Sequence, residues 1–412
     1  MISVLIATAL VFQSAAPASD WQANFNADGT PRPLNDPADL TLWPNKASNA
    51  NADMWIVRNH DKIRQMRPRL LLINFSNQVD PAKPMVLFND LRVALKESSR
   101  YHGYKDPKAP AFLDYQVWRY VDMHDPNETK NNSFKAPRKA HVKQGINCNY
   151  GGFFSQKFAE YIGVRDPKNK SRFLRLDELL DRGYVHEVWF TAAPTPDFTC
   201  LEAIEMKNCY DEKFNRIPGK VVQAGNGGDE DMKWTGRPVR IICLNETRGI
   251  GCAMENLGHA FEGMAHSRCI PYFTKYFYEF AMFDLDKKYG LPFNSFYALW
   301  GEGKGISYPN PTTAVVRDGA KTWTLKNYVA TAGNVHFMPN GQRHYDLESM
   351  DPVMSTIEDW RHRQRSWRQG LGKAVDADCA GTLQEACSRL HGPMAGLLEA
   401  ERAWVQEQIE GR

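Results

Sequence analysis

The chain has almost no excess charge. Its 51 Lys and Arg stand against 48 Asp and Glu, leaving +3 over 412 residues. With both signs interspersed, there is no basic stripe of the kind that nucleic-acid binding requires. After the first residues, no apolar stretch reaches the roughly 20 uncharged residues that span a bilayer. Cys-x-x-Cys does not occur, which counts against a zinc knuckle or a thioredoxin-type site. The Gly-x-Ser-x-Gly elbow of ordinary α/β-hydrolase esterases is missing, as is the His-Glu-x-x-His of zincin proteases. No internal repeat or low-complexity tract is found.

What is present begins at the N-terminus. Val4 to Phe12 form a short apolar run, followed by Gln13-Ser14-Ala15 and Ala16-Pro17-Ala18. Small residues at the positions a signal peptidase reads predict cleavage after Ala18 and a secreted or periplasmic protein, although the n-region has no Lys or Arg. The eight cysteines suit an oxidising compartment. Connectivity is not fixed by sequence; local pairs, Cys200 with Cys209, Cys243 with Cys252 and Cys379 with Cys387, are the simplest expectation. Aromatic residues make up 12% of the chain, with eleven Trp. That suits sugar-stacking platforms and also ordinary core packing.

Residues 19–53 read as an extended, loosely packed lead-in, rich in Asn, Asp, Ala and Pro. An α/β domain is expected over 54–360. Arg69 to Phe75 is a continuous apolar run, as in a strand covered on both faces. Phe112 to Val121, Val185 to Phe190 and Val239 to Leu244 read as further strands. Helices are expected at Asp61 to Met66, Leu91 to Ser99, Phe153 to Ile162, Leu176 to Asp181, Cys252 to His266 and Tyr272 to Lys287. The alternation predicts a layered α/β fold, a mainly parallel sheet with helices on both faces. Residues 291–360, rich in Gly, Pro, Asn, Tyr and Trp, read as a loop-rich C-terminal cover. Residues 361–412 read as a helical extension.

The helix after Leu244 carries the densest chemistry. At 100° per residue, Glu255, His259, Glu262 and His266 fall within about 60° of arc. Ala253, Leu257, Ala260 and Met264 take the opposite face. The stripe has two His and no Lys, unlike an ordinary solvated face, though a solvated polar face is the competing reading. A divalent metal such as zinc would draw on His259, His336 and Glu255, with Glu262 three residues after His259. His259 and His266 lie roughly 10 Å apart along the axis, too far to share an ion bound at about 2.1 Å.

Other segments supply partners. His186 and Glu187 point to opposite faces of a strand, so Glu187 is a candidate acid or base and His186 a core histidine. Arg248, in the Gly-containing turn after a strand, could take an anionic group; that turn lacks the Lys and spacing of a P-loop. The segment Gly333 to Asp346 is a polar loop holding His336. Glu202 and Glu205 would share a face if that piece were helical.

The ordered blocks His186-Glu187-Val188-Trp189, Thr247-Arg248-Gly249-Ile250-Gly251, Gly258-His259 with Glu262, Gly333-Asn334-Val335-His336-Phe337 with Pro339-Asn340, and Glu358-Asp359-Trp360 form a set. The chain thereby resembles, over Arg69 to Trp360, a group of secreted microbial proteins of unknown function. The resemblance implies one architecture and brings no catalytic assignment. The leading expectation is a secreted hydrolase, admitting metal assistance, that acts on an extracellular glycan or peptide through Glu187, Glu262 and Arg248. The rivals are a metal-free glycoside hydrolase with paired carboxylates, Glu187 and Glu262, and a non-catalytic carbohydrate-binding protein presenting Trp300, Trp323 and Tyr328. The partner in each case is a small-molecule or polymeric substrate, with no nucleic acid.

Overall fold

A computed structural model describes residues 18–48, 53–59, 62–78, 80, 82–98, 111–143, 146–193, 195–213, 215–225, 231–246, 263–264, 266–271, 289–293, 302–310 and 313–326. The leader expected through Ala18 lies outside these apart from Ala18 itself, as do most of the expected helices after residue 251 and everything beyond 326.

The central feature is a six-stranded sheet. Its strands are β1 (Arg69–Asn74), β2 (Gln116–Asp122), β3 (Glu187–Ala192), β4 (Ala203–Tyr210), β5 (Arg216–Gly225) and β6 (Val239–Asn245). The spatial order is β5-β4-β6-β3-β1-β2. Four strands run parallel, with Leu72 and Ile242 both opposite Trp189. The other two run antiparallel, as a β4–β5 hairpin on the flank of β6. A separate antiparallel meander joins β7 (Lys304–Asn310), β8 (Thr313–Asp318) and β9 (Lys321–Lys326).

The continuous apolar runs became strands for the expected reason. From Leu70 to Asn74 every residue of β1 is buried. Alternate side chains then feed two cores. Leu70, Leu72, Trp189, Ile242 and Leu244 enter one, with Phe88, Leu91 and Leu95 of helix α2 packed in it; α1 is Asp53–Asn59 and α2 is Ala82–Ser98. Leu71, Ile73, Val188, Phe190 and Ile241 enter the other, under Phe75, Tyr150, Phe153 and Phe158. Each such side chain contributes about 1.5–3 kcal/mol by leaving water.

The expected mainly parallel sheet with helices on both faces is corrected here. The sheet is mixed, and strand dominates the described residues. Only α2, at 17 residues, is a long helix among them. The next are α3 (Gln156–Ile162) and α4 (Leu176–Asp181), of two turns or fewer. The reason lies in β4. Its eight residues are all buried, yet they include Glu205, Lys207 and Asn208. Paired charges inside a strand disguised its period, so Glu202 and Glu205 read as one face of a helix. Residues 65–66, expected to be helical, form a short strand beside Leu42–Trp43. That pairing ties down the lead-in, as do Trp21 and Phe25, which lie within 5.3 Å and 4.8 Å of the Arg119 guanidinium.

Local stops are legible. The Ser155 hydroxyl accepts from the Phe158 amide to start α3, and Gly163 ends it at φ 71°, a left-handed conformation that glycine adopts without strain. Gly151 is needed for a different reason. A Cβ there would stand 2.1 Å from the Asp231 carbonyl oxygen and 3.3 Å from the Asn149 side-chain oxygen. Gly151→Ala is therefore expected to cost about 1–3 kcal/mol through overpacking. A denaturant midpoint equal to wild type would refute this close approach.

Candidate active site

Two polar groupings stand out, at opposite ends of the sheet. One is buried in the layer under α2. Glu187, the first residue of β3, is 1% exposed and so is Arg240 beside it on β6. Arg240 donates to Glu187 Oε2 from Nη2 at 2.8 Å and from Nε at 3.2 Å. Tyr115 donates its hydroxyl to Oε1 at 2.8 Å, and the Trp189 indole donates to Oε2 at 3.1 Å. Glu205 faces Arg240 in register and lies 2.7 Å from Lys207 Nζ. Burial alone would lower the Arg240 pKa, but Glu187 and its neighbours reverse that and hold it above the ordinary arginine value. Burial, with Glu187 beside it, pushes the Tyr115 phenol well up. These groups stay charged or protonated by saturating one another, which is the behaviour of an anchor.

The second grouping sits where the parallel strands end. From β1 the chain passes to β2 on one side and to β3 on the other, so the carboxyl ends of β1 and β3 flank a topological switch point. Open α/β sheets bind ligands at such points. Asn74, the last residue of β1, is fully buried there. Its side-chain oxygen accepts from Thr191 Oγ1 at 2.9 Å and from the Ser76 amide at 3.0 Å. Its amide donates to Asp122 Oδ1, at the exposed end of β2, at 3.0 Å. The Ser76 hydroxyl donates to Glu246 Oε1 at 2.7 Å. A single chain, Asp122–Asn74–Ser76–Glu246, thus crosses the edge. Asn132 closes its far side by gripping both the amide and the carbonyl of Ala193, at 2.7 Å and 3.0 Å.

Glu246 follows the last residue of β6. Its Oε2 is shielded from solvent and accepts no hydrogen bond among the described residues. Burial raises its pKa above the ordinary glutamate value, against the Ser76 hydrogen bond and the charge of Lys83, which pull it down. A desolvated carboxyl with one oxygen oriented and the other unpaired is the disposition of a general acid or base.

None of the sequence-derived candidates among the described residues lies in the second grouping. Glu187 belongs to the buried layer, four residues along β3 from Thr191 and so about 13 Å from the carboxyl edge. His186 is a core histidine: its Nδ1 accepts from the Arg69 amide at 2.9 Å and its ring packs on Trp43. Met264 is buried and His266 exposed, matching the two helix faces read from the sequence. Arg248, Glu255, His259, Glu262 and His336 lie outside the described residues. Of the stacking candidates, Trp323 is half-buried against Phe293; Trp300 and Tyr328 lie outside. Among the described residues no group of His, Cys, Asp and Glu has a metal-holding arrangement. Sequence reasoning missed Glu246, Asn74 and Asp122. The signal available was position: each ends, or directly follows, a strand of the parallel set.

No described helix is long and apolar enough to cross a membrane. No family model, curated protein or solved structure matches the chain.

Proposed function

We propose that the protein is a secreted hydrolase acting on an extracellular glycan, with Glu246 as its general acid. The observation that carries this reading is the Glu246 carboxyl, desolvated, oriented by Ser76 and unpaired at Oε2, at the switch point of the parallel strands. Asp122, exposed on the same edge and linked to it through Asn74 and Ser76, takes the second role. Glu246 delivers its proton to the leaving oxygen of the glycosidic bond. Asp122 then either attacks the anomeric carbon or activates a water that does, the choice depending on the separation of the two carboxyls. Pairing a buried acid with a solvated carboxylate is the usual way to divide these roles.

The test is release of reducing ends from a panel of polysaccharides by the full chain, compared with Glu246→Gln and Asp122→Asn. Loss in both variants, with activity indifferent to a chelator, is the expected result. Full turnover in Glu246→Gln moves the chemistry off this edge. Activity abolished by chelator and restored by zinc would instead transfer it to His259, His336 and Glu255.

A further inference from the structure

Three cysteines that the proposed chemistry does not use converge on the sheet face opposite α2. Cys148 ends a short strand, Ile146–Cys148. Its amide donates to the Thr199 carbonyl at 3.0 Å. Asn147 and Thr199 add two bonds, the Asn147 amide to Thr199 Oγ1 at 2.9 Å and the Thr199 amide to Asn147 Oδ1 at 2.7 Å. This clamp fixes Cys148 beside Cys200. From the other side, the Cys243 amide donates to the Glu202 carbonyl at 2.8 Å and holds β6 against the same segment. The Cys200 thiol is thereby within hydrogen-bonding reach of both the Cys148 and the Cys243 thiols. Tyr150, buried next to all three, donates its hydroxyl to the Leu201 carbonyl at 2.9 Å and keeps the segment in place.

The sheet itself decides against the local pairing expected from spacing. Cys148, Cys200 and Cys243 pack with the core that holds Phe75 and Phe190. Cys209 and Cys269 pack with the core on the α2 face. A Cys200–Cys209 bond would have to pass through the sheet, and a disulfide needs its Cα atoms within about 7 Å with Cβ atoms facing.

We propose that Cys200 forms a structural disulfide with Cys148, and that Cys243 is the reserve partner which accepts the bond when Cys148 is removed. The bonds that hold Cys148 run to Thr199, the residue before Cys200, whereas the Cys243 amide is tied at Glu202, two residues beyond it, and this nearer clamp sets the order of preference. A small disulfide such as oxidised glutathione supplies the oxidation. One protein thiolate attacks it and expels a glutathione thiolate. The second protein thiolate attacks the resulting mixed disulfide, forms the Sγ–Sγ bond and expels the other glutathione. The protein gives up two hydrogens, and the oxidant leaves as two thiols. Burial holds the Cys200 thiol far above its ordinary range. A thiol of high pKa is a poor leaving group, so the bond once made exchanges slowly.

The sequence makes the test clean, because the five described cysteines fall in separate tryptic peptides: 144–157, 183–207, 208–213, 241–248 and 269–275. The full chain is refolded in glutathione redox buffer, alkylated without reduction, digested and mapped by mass spectrometry. The expected product joins 144–157 to 183–207. Cys148→Ser moves the bond to 241–248, and Cys200→Ser abolishes both products. The wild-type map suffices if a variant fails to fold. A bond from 183–207 to 208–213, or five alkylated thiols in protein with a native spectrum, overturns the proposal. The cross-linked form should also melt at a higher temperature than the same protein kept in dithiothreitol.

Discussion

Arg240→Met should cost about 3–5 kcal/mol of folding stability, the range for removing one partner from a buried ion pair. Both side chains are 1% exposed, so no water can replace the lost guanidinium. Glu187 would keep the hydroxyl of Tyr115 and the indole N–H of Trp189 but lose its counter-charge. Glu205 faces the same guanidinium across the β4–β6 register, so the layer would hold two carboxylates against Lys207 alone. The relief available is protonation of a carboxyl. That raises its folded pKa, so the deficit should be greatest at neutral pH and shrink on acidification. Urea denaturation at two pH values measures this. The double variant Glu187→Gln/Arg240→Met should recover a large part of the loss, since removing both charges is far less costly than orphaning one. A single-variant deficit below about 1 kcal/mol would mean that the layer is hydrated, and that Glu187 is available to substrate after all.

Glu246→Gln is expected to lower turnover by about 10²–10⁴-fold, the usual contribution of a positioned general acid. Its effect on folding has the opposite sign. A carboxyl whose folded pKa lies above its unfolded value contributes stability below the unfolded value, near 4.5, and loses it as pH rises through the folded value. Above its folded titration the wild-type chain therefore holds a charge where burial disfavours one. The neutral amide removes that penalty while still accepting from Ser76. Its denaturation midpoint should exceed wild type above the folded titration of Glu246 and fall back to it below pH 4.5. Activity lost together with stability would point to a structural role. Activity lost while stability is gained is the mark of a functional group held against its preference. In the wild type, turnover should decline as pH rises through the Glu246 titration, because the acid form is the reactive one.

The parallel half of the sheet was legible in the sequence because burial on both faces writes itself as an unbroken apolar run. Leu70 to Ile73, Val188 to Phe190 and Ile241 to Leu244 are such runs, all buried but for the half-exposed Cys243. The antiparallel flank was not. β4 buries Glu205 and Lys207 through mutual pairing, and β5 interrupts its own pattern with Pro218 and Gly219. The proposed site followed the same division. A position rule, that sites gather at the carboxyl ends of parallel strands, leads to the edge that holds Glu246 and Asp122. A residue-type rule, which favours His-Glu pairs, leads to His186 and Glu187. Those two are set into the sheet by the Arg69 amide and the Arg240 guanidinium, partners 117 and 53 residues away in sequence. No local pattern announces a partner at that distance.

The order β5-β4-β6-β3-β1-β2 places the last strand of the sheet to be synthesised between two sets made before it. Until residues 239–245 emerge, β2-β1-β3 and the β4–β5 hairpin are two separate pieces, each with an open strand edge lined by apolar side chains. β6 joins them by pairing with both at once, over residues 239–242 on the β4 side and 240–245 on the β3 side. Assembly is therefore gated by a non-local event, and the transition to the native sheet belongs to the slow class of topologies. During that interval the two edges are complementary to those of any neighbouring chain at the same stage. The insertion step is the point at which crowding, or a premature stop before Val239, diverts the polypeptide from folding into association.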